Sequence, residues 1–300
     1  MPGVAFRLLT FSLLSLTVVF ACALAWSGFD LSRKALVERI APTPLLLLLT
    51  MGQTPAFVAW AAWDGGGAAA GYWLPALGSV ALNVVANLAF IHAFQVSPIS
   101  VTIPLLSLTP VLTTLAAVPM LGEVPGVRQW AGILLVVAGA FVVTLRSGEG
   151  WSAGAMARAF AREPGARLML VVAAAWALTP PLDKLALAHA STPFHAAVLC
   201  GGVALVLAAV LAVQGRLGEV RQVGRAPGIY AVALVVSCLA LALQLAAYRL
   251  VWVALVETLK RGIGNVLALV YGRFLFGEAV GPAQVAAVVM MGAGVGLILA

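Results

Sequence analysis

The chain has 300 residues, of which 63% are hydrophobic and only 9% charged, against roughly 25% charged in soluble domains. With a mean hydropathy of +1.09, it carries more apolar surface than a water-soluble core could hide. The formal charge of +7 gathers at loops, in Arg33/Lys34/Arg39, Arg146/Arg158/Arg162/Arg167 and Arg216/Arg221/Arg225, a membrane-topology pattern rather than a nucleic-acid footprint.

Apolar runs the length of one crossing, roughly 20 residues, recur ten times between Gly, Pro or charged boundaries. They are 12–34, 43–63, 73–94, 99–121 and 129–145, then 168–188, 193–213, 228–248, 253–276 and 280–299. Their continuity excludes the alternating pattern of a β-barrel, so the chain reads as an all-α membrane protein. The first run mimics a signal peptide, with Arg7 before Leu8 to Phe20 and Ala21-Cys22-Ala23 after it. Helix three places Asn83, Asn87 and His92 near one face. Helix four holds Ser97-Pro98, Ser100, Thr102, Pro104, Ser107, Thr109 and Pro110. Its prolines free carbonyls and kink helices, which suits a moving gate, although Ser and Thr also pack quietly against neighbouring helices. Thr179-Pro180-Pro181 is expected to interrupt and bend helix six, and Gln244 and Tyr248 share a face of helix eight. Cys22, Cys200 and Cys238 show neither pairing nor metal-ligand spacing and read as small apolar residues.

The longest polar connection, Arg146 to Arg167, divides the chain into 1–150 and 151–300, and the two parts resemble each other. Ala25-Trp26 with Lys34 returns as Ala175-Trp176 with Lys184, Thr43-Pro44 as Thr192-Pro193, and Leu121-Gly122-Glu123 as Phe276-Gly277-Glu278. A repeat of five helices, an odd number, puts the second copy upside down, the arrangement from which many secondary transporters build a midplane site. The repeat also argues against a cleaved signal, because the first span has a counterpart in mid-chain. The expected fold is thus ten transmembrane helices as two inverted five-helix repeats.

With a Trp in the first helix and a Gly-Glu closing the fourth helix of each half, the chain resembles the EamA-type branch of the drug/metabolite transporter superfamily over nearly its whole length. The resemblance implies that helices one, three, four, six, eight and nine line a cavity, and that the substrate is a small polar metabolite. It also implies both termini in the cytoplasm, whereas the cation count favours the opposite orientation.

Helix nine carries the chemistry. Glu257 and Arg261 are four apart and are expected to pair, leaving Lys260 to point elsewhere. Arg261 lies about 26 Å along a helix from Glu278. At that depth three readings stand: the stems snorkel to headgroups, the charges form a purely structural ion pair, or the cations sit in a substrate path, where charge is costly enough to mark function. Gly262 and Gly264 thin the helix beside them and allow close approach. Plastid phosphate translocators, relatives in the same superfamily, also carry Lys-Arg in helix nine, and the resemblance extends an anion-binding role to Lys260 and Arg261. Trp26, Trp176, Asn87, Gln244 and Tyr248 are the expected lining. Asp30, Lys34, Asp183 and Lys184, with Pro104 and Pro110, are the expected gate, though charges at helix ends also meet headgroups.

No G-x-S-x-G, H-E-x-x-H or P-loop occurs, so neither an enzyme nor an ATP-driven pump is expected. The reading is a multi-pass inner-membrane transporter of a small, anionic organic metabolite. It is expected to need no cofactor, metal or nucleic acid, and a homodimer is one option for its assembly. Export of a neutral or zwitterionic metabolite and flipping of a lipid-linked carrier are the alternatives.

Overall fold

The computed structural model describes residues 12–97, 103–144, 164–275 and 281–300. The signal-like Arg7, the cations Arg146, Arg158 and Arg162, the stretch 98–102, the Pro104 side chain and Phe276-Gly277-Glu278 lie outside the described residues.

Within them the chain forms ten α-helices: α1 (Leu13–Val37), α2 (Pro42–Asp64), α3 (Trp73–Val96), α4 (Thr109–Leu121), α5 (Val127–Thr144), α6 (Pro164–Leu187), α7 (Thr192–Val213), α8 (Pro227–Leu250), α9 (Val253–Leu275) and α10 (Pro282–Leu299). Two 3-10 segments, Ile103–Leu108 and Leu217–Arg225, precede α4 and α8. By length and apolarity α1, α2, α3, α6, α7, α8 and α10 each suffice to cross a membrane. The protein is therefore an all-helical, multi-pass integral membrane protein. α4 and α5 are shorter apolar helices, and α9 is long enough but interrupted by Glu257, Lys260, Arg261 and Arg273.

Local chemistry sets the boundaries. Ser12 accepts the Ser15 N–H at 3.1 Å and caps α1, while α2, α8 and α10 begin on a proline and α7 has one at its second position, where the missing N–H costs nothing. Gly65 and Gly122 end α2 and α4 with φ of 67° and 68°, the left-handed turn that glycine makes without strain.

Two sequence expectations change. Helix four is not α-helical throughout: a 3-10 segment leads into α4, because prolines at 104 and 110 cannot donate to an α-helical ladder. Helix six is not interrupted, and α6 runs through Pro180 and Pro181. Pro180 cannot donate to the Trp176 carbonyl, and the Thr179 hydroxyl donates to it instead at 3.2 Å.

The helices pack in pairs: α1 against α8 and α9, α6 against α3 and α4, α2 against α7, and α5 against α10. At one end of the bundle the α2–α3 and α6–α7 turns meet, through the Ala68–Ala190 bridge. At the other end the Ala41 N–H donates to Gln222 at 3.0 Å, and Arg225 donates to the Arg39 carbonyl at 3.3 Å. These are called the first and second ends below.

The α5–α10 crossing depends on small residues, as membrane helices require where lipid offers no hydrophobic gain for association. A Cβ on Gly132 would stand 2.5 Å from the Gly294 carbonyl oxygen, and one on Gly139 2.7 Å from Met291. Gly132→Ala is therefore expected to lower stability by about 1–3 kcal/mol through overpacking against backbone. Gly296→Ala, on the same pair but with open space around it, is expected not to. Thermal unfolding of the two purified variants makes the comparison.

Candidate functional site

The polar groups of the interior centre on the first half of α9. Glu257 and Lys260 face inward, with side chains only 8% and 21% exposed. Lys260 Nζ lies 2.6 Å from Glu257 Oε1 and donates to Gln244 Oε1 of α8 at 2.7 Å. The same Glu257 oxygen accepts the hydroxyl of fully buried Tyr248, also on α8, at 2.6 Å. Lys260 Nζ stands 5.1 Å from the centre of the Trp26 ring on α1, within cation–π range. Five of the residues singled out in the sequence are thus brought together from three helices: Trp26, Gln244, Tyr248, Glu257 and Lys260.

The pairing inside the group differs from expectation. Glu257 holds Lys260, three residues on, and not Arg261, four residues on. Both spacings lie on one helix face, and α8 decides between them by supplying Gln244 and Tyr248 on the Lys260 side. Arg261 makes no hydrogen bond or ion pair among the described residues, and is only partly exposed. Glu257, Asp30 and Arg33 act on it electrostatically without bonding to it. Gly262 packs ordinarily on Val136 and Val295, whereas Gly264, one turn beyond Lys260 and Arg261, has open space where a side chain would stand.

Among the described residues, the Trp26 indole nitrogen and the hydroxyls of Thr109 and Thr113 are buried without a hydrogen-bond partner. The two threonines lie one turn apart on α4, which packs against both α6 and α9. Thr109 was visible in the sequence as part of helix four's polar run. Thr113 had no signal beyond its spacing of four from Thr109.

Toward the first end, Gly122-Glu123 acquires a physical meaning. The left-handed Gly122 stops α4 and turns the chain, so that Glu123 Oε2 accepts the Val253 N–H at 2.9 Å at the start of α9. A carboxylate there meets unpaired amides and the positive end of the helix dipole. Its other oxygen holds Lys184 of α6 at 2.6 Å, and Lys184 also donates to the Val251 carbonyl at 2.7 Å. One carboxylate therefore ties α4, α6 and the α8–α9 turn together. Asp183, beside Lys184, is buried and accepts the Ser79 hydroxyl and His195 Nε2, the latter at 3.1 Å.

The remaining expected residues lie apart. Asp30 and Arg33 form an exposed i,i+3 pair at 2.8 Å near the end of α1, and Lys34 is exposed there. Trp176 packs on Phe90 of α3 with ring centres 5.4 Å apart. Asn87 donates to the Asn83 carbonyl one turn back at 2.7 Å. Pro110 is buried in the first turn of α4. Sequence reasoning passed over His195, although an Asp and a His twelve positions apart across the short α6–α7 turn were a usable signal. A surface hollow of about 350 Å³ lies elsewhere, at the second end, lined by Glu219, Arg221, Gln222 and Arg225 among others.

Comparison with known proteins places this geometry. Residues 13–145 and 163–300 match the EamA-like transporter family. A probable 4-amino-4-deoxy-L-arabinose-phosphoundecaprenol flippase subunit, ArnE, from Photorhabdus laumondii subsp. laumondii is 29% identical over 73 residues. That match covers 24% of this chain and 63% of the relative. A protein crystal structure with 17% sequence identity superposes with a TM-score of 0.70 over 94% of this chain and 95% of its own, a likeness of fold alone.

Proposed function

The chain belongs to the EamA-like transporter family, and on that premise we propose that it is a secondary transporter moving a small, polar, anionic organic metabolite by alternating access. The observation that carries the anion is the unequal fate of the two cations of α9. Lys260 is neutralised by Glu257 and anchored by Gln244, whereas Arg261 beside it bonds no partner among the described residues. A partly buried guanidinium without a counter-ion is unfavourable until an anion arrives, and its planar fork suits a carboxylate or phosphate. The Trp26 N–H and the Thr109 and Thr113 hydroxyls add neutral donors, or in the threonines acceptors, for the rest of a polar molecule.

Two inverted halves, 1–150 and 151–300, and ten crossing helices are part of this reading. The family matches twice along the chain, and the helix pairs exchange as two such halves would: α1 on α8 and α9, then α6 on α3 and α4. Lys260 lies about 10 Å inside α9 at 1.5 Å per residue, toward the middle, where inverted repeats bind substrate. The Glu123–Lys184 tie serves as the gate at the first end, and the cation-rich second end faces the cytoplasm by the positive-inside rule.

A second reading takes its support from the flippase subunit among the relatives: the anion would then be the phosphate of a lipid-linked carrier. Thermal stabilisation of the purified protein by a metabolite library, each acid tested beside its neutral amide or ester, separates the readings, because a ligand stabilises in proportion to its occupancy. A water-soluble acid is expected to raise the Tm while its neutral partner does not. Equal effects from both would remove the anion, and a response confined to a polyprenyl phosphate would favour the flippase.

A further inference from the structure

Outside the α9 group, the interior holds a second cluster that the transport reading leaves unused. Asp183 of α6, His195 of α7, Ser79 of α3 and Tyr72, just ahead of α3, are all buried. Asp183 Oδ1 accepts from Ser79 and contacts His195 Nε2 at 3.1 Å, while His195 Nδ1 lies 3.1 Å from the Tyr72 hydroxyl. Two arrangements satisfy all three contacts: an imidazolium that donates from both nitrogens, to the carboxylate and to the Tyr72 oxygen, and a neutral imidazole that donates from Nε2 to the carboxylate and accepts at Nδ1 from Tyr72.

The neutral arrangement leaves the cluster one negative charge in excess. Lys184, the adjacent residue, is taken by Glu123, and no Lys or Arg bonds to Asp183 among the described residues. An uncompensated carboxylate within a membrane bundle is expensive, and one proton removes the cost. Burial together with the charge of Asp183 pushes the Tyr72 phenol up, so it stays an O–H. A proton arriving at His195 Nδ1 makes an imidazolium–carboxylate pair and turns Tyr72 from donor to acceptor.

The cluster also communicates with the α9 group. Tyr248 lies within electrostatic reach of both Asp183 and Glu257, and is bonded to the latter. Lys184, next to Asp183 on α6, joins the cluster's own helix to the Glu123 tie. From Ser79, Asn83 and Asn87 continue as a polar line along α3, each donating one turn back at 3.0 and 2.7 Å.

We propose that Asp183 and His195 together form the binding site of one exchangeable proton, and that this proton is the ion coupled to transport through Tyr248 and Glu257. The site itself stands apart from the substrate reading; only the word "coupled" rests on it.

The test uses the proton as its own probe. The chain has three histidines, and His92 and His189 are exposed, so His92→Gln/His189→Gln leaves His195 as the single ring-¹⁵N signal in NMR of the detergent-purified protein. That signal is expected to report the gain of one proton as the pH is lowered from 9 to 4. Asp183→Asn is expected to move the step down by more than about one pH unit, since a neighbouring carboxylate favours the imidazolium. Replacing the α9 pair with Glu257→Gln/Lys260→Met, which removes the charged acceptor of Tyr248, is expected to displace the midpoint by at least about 0.3 unit, because coupling between sites is reciprocal. A signal that stays constant from pH 4 to 9 overturns the proton site. A step whose midpoint ignores the α9 substitutions overturns the coupling. Neither result depends on whether Arg261 binds an anion.

Discussion

Lys260→Ala is expected to destabilise the protein by about 3–5 kcal/mol, because it leaves Glu257 charged and buried without its counter-ion. The carboxylate would keep only the Tyr248 hydroxyl, and Gln244 would lose the ammonium it accepts from. The double variant Glu257→Gln/Lys260→Met removes both charges at similar volume and is expected to recover most of the loss, since replacing a whole buried pair is often neutral. The cycle is read from thermal or denaturant unfolding of the wild type, the two single variants and the double variant. Additive single effects with no recovery would mean that the two groups do not depend on each other. A free cavity lysine makes the opposite prediction: Lys260→Ala would then leave stability untouched and impair transport alone.

That contrast marks where sequence reasoning reached and where it stopped. The helices were legible because each crossing must be apolar for its full length, and the departures have local causes. Prolines at 104 and 110 turn the start of helix four into a 3-10 segment, while Thr179 lets α6 pass through Pro180. Depth was legible too, since three ionisable residues within one turn of α9 stand out against their surroundings. The choice of partner was not. Glu257 has cations three and four residues on, and the decision falls to Gln244 and Tyr248, contributed by another helix. Gly122-Glu123 was recognisable as a repeated signature, but its work at Val253 and Lys184 is tertiary and spans 130 residues in sequence to the former. His195 shows the reverse failure: Asp183 and a His twelve positions on, across a short turn, could have been read together and were passed over.

Arg261→Gln is expected to leave the unfolding free energy within about 1 kcal/mol of wild type while abolishing the response to the substrate. The stability expectation follows from the absence of any bonded partner to strand. The functional expectation follows from losing a charge-assisted, two-pronged contact, about 3 kcal/mol and so roughly 100-fold in affinity. Arg261→Lys keeps the charge without the fork and is expected to fall between the two. Exchange in proteoliposomes with the acid that stabilises the wild type measures this directly. Lys260 and Arg261 then have separate duties: the first holds the site together through Glu257, and the second meets the ligand.

The most direct test places a single cysteine at Arg261 in a protein whose Cys22, Cys200 and Cys238 have been replaced. A membrane-impermeant thiosulfonate reagent reacts only where water reaches the thiol. Arg261→Cys is expected to react, to be protected by the stabilising acid, and to regain part of its exchange activity with an ammonium-bearing reagent but not with a sulfonate-bearing one. A thiol that remains unmodified from both sides of the membrane, or that reacts equally fast in the presence of saturating acid, would contradict an anion site at Arg261.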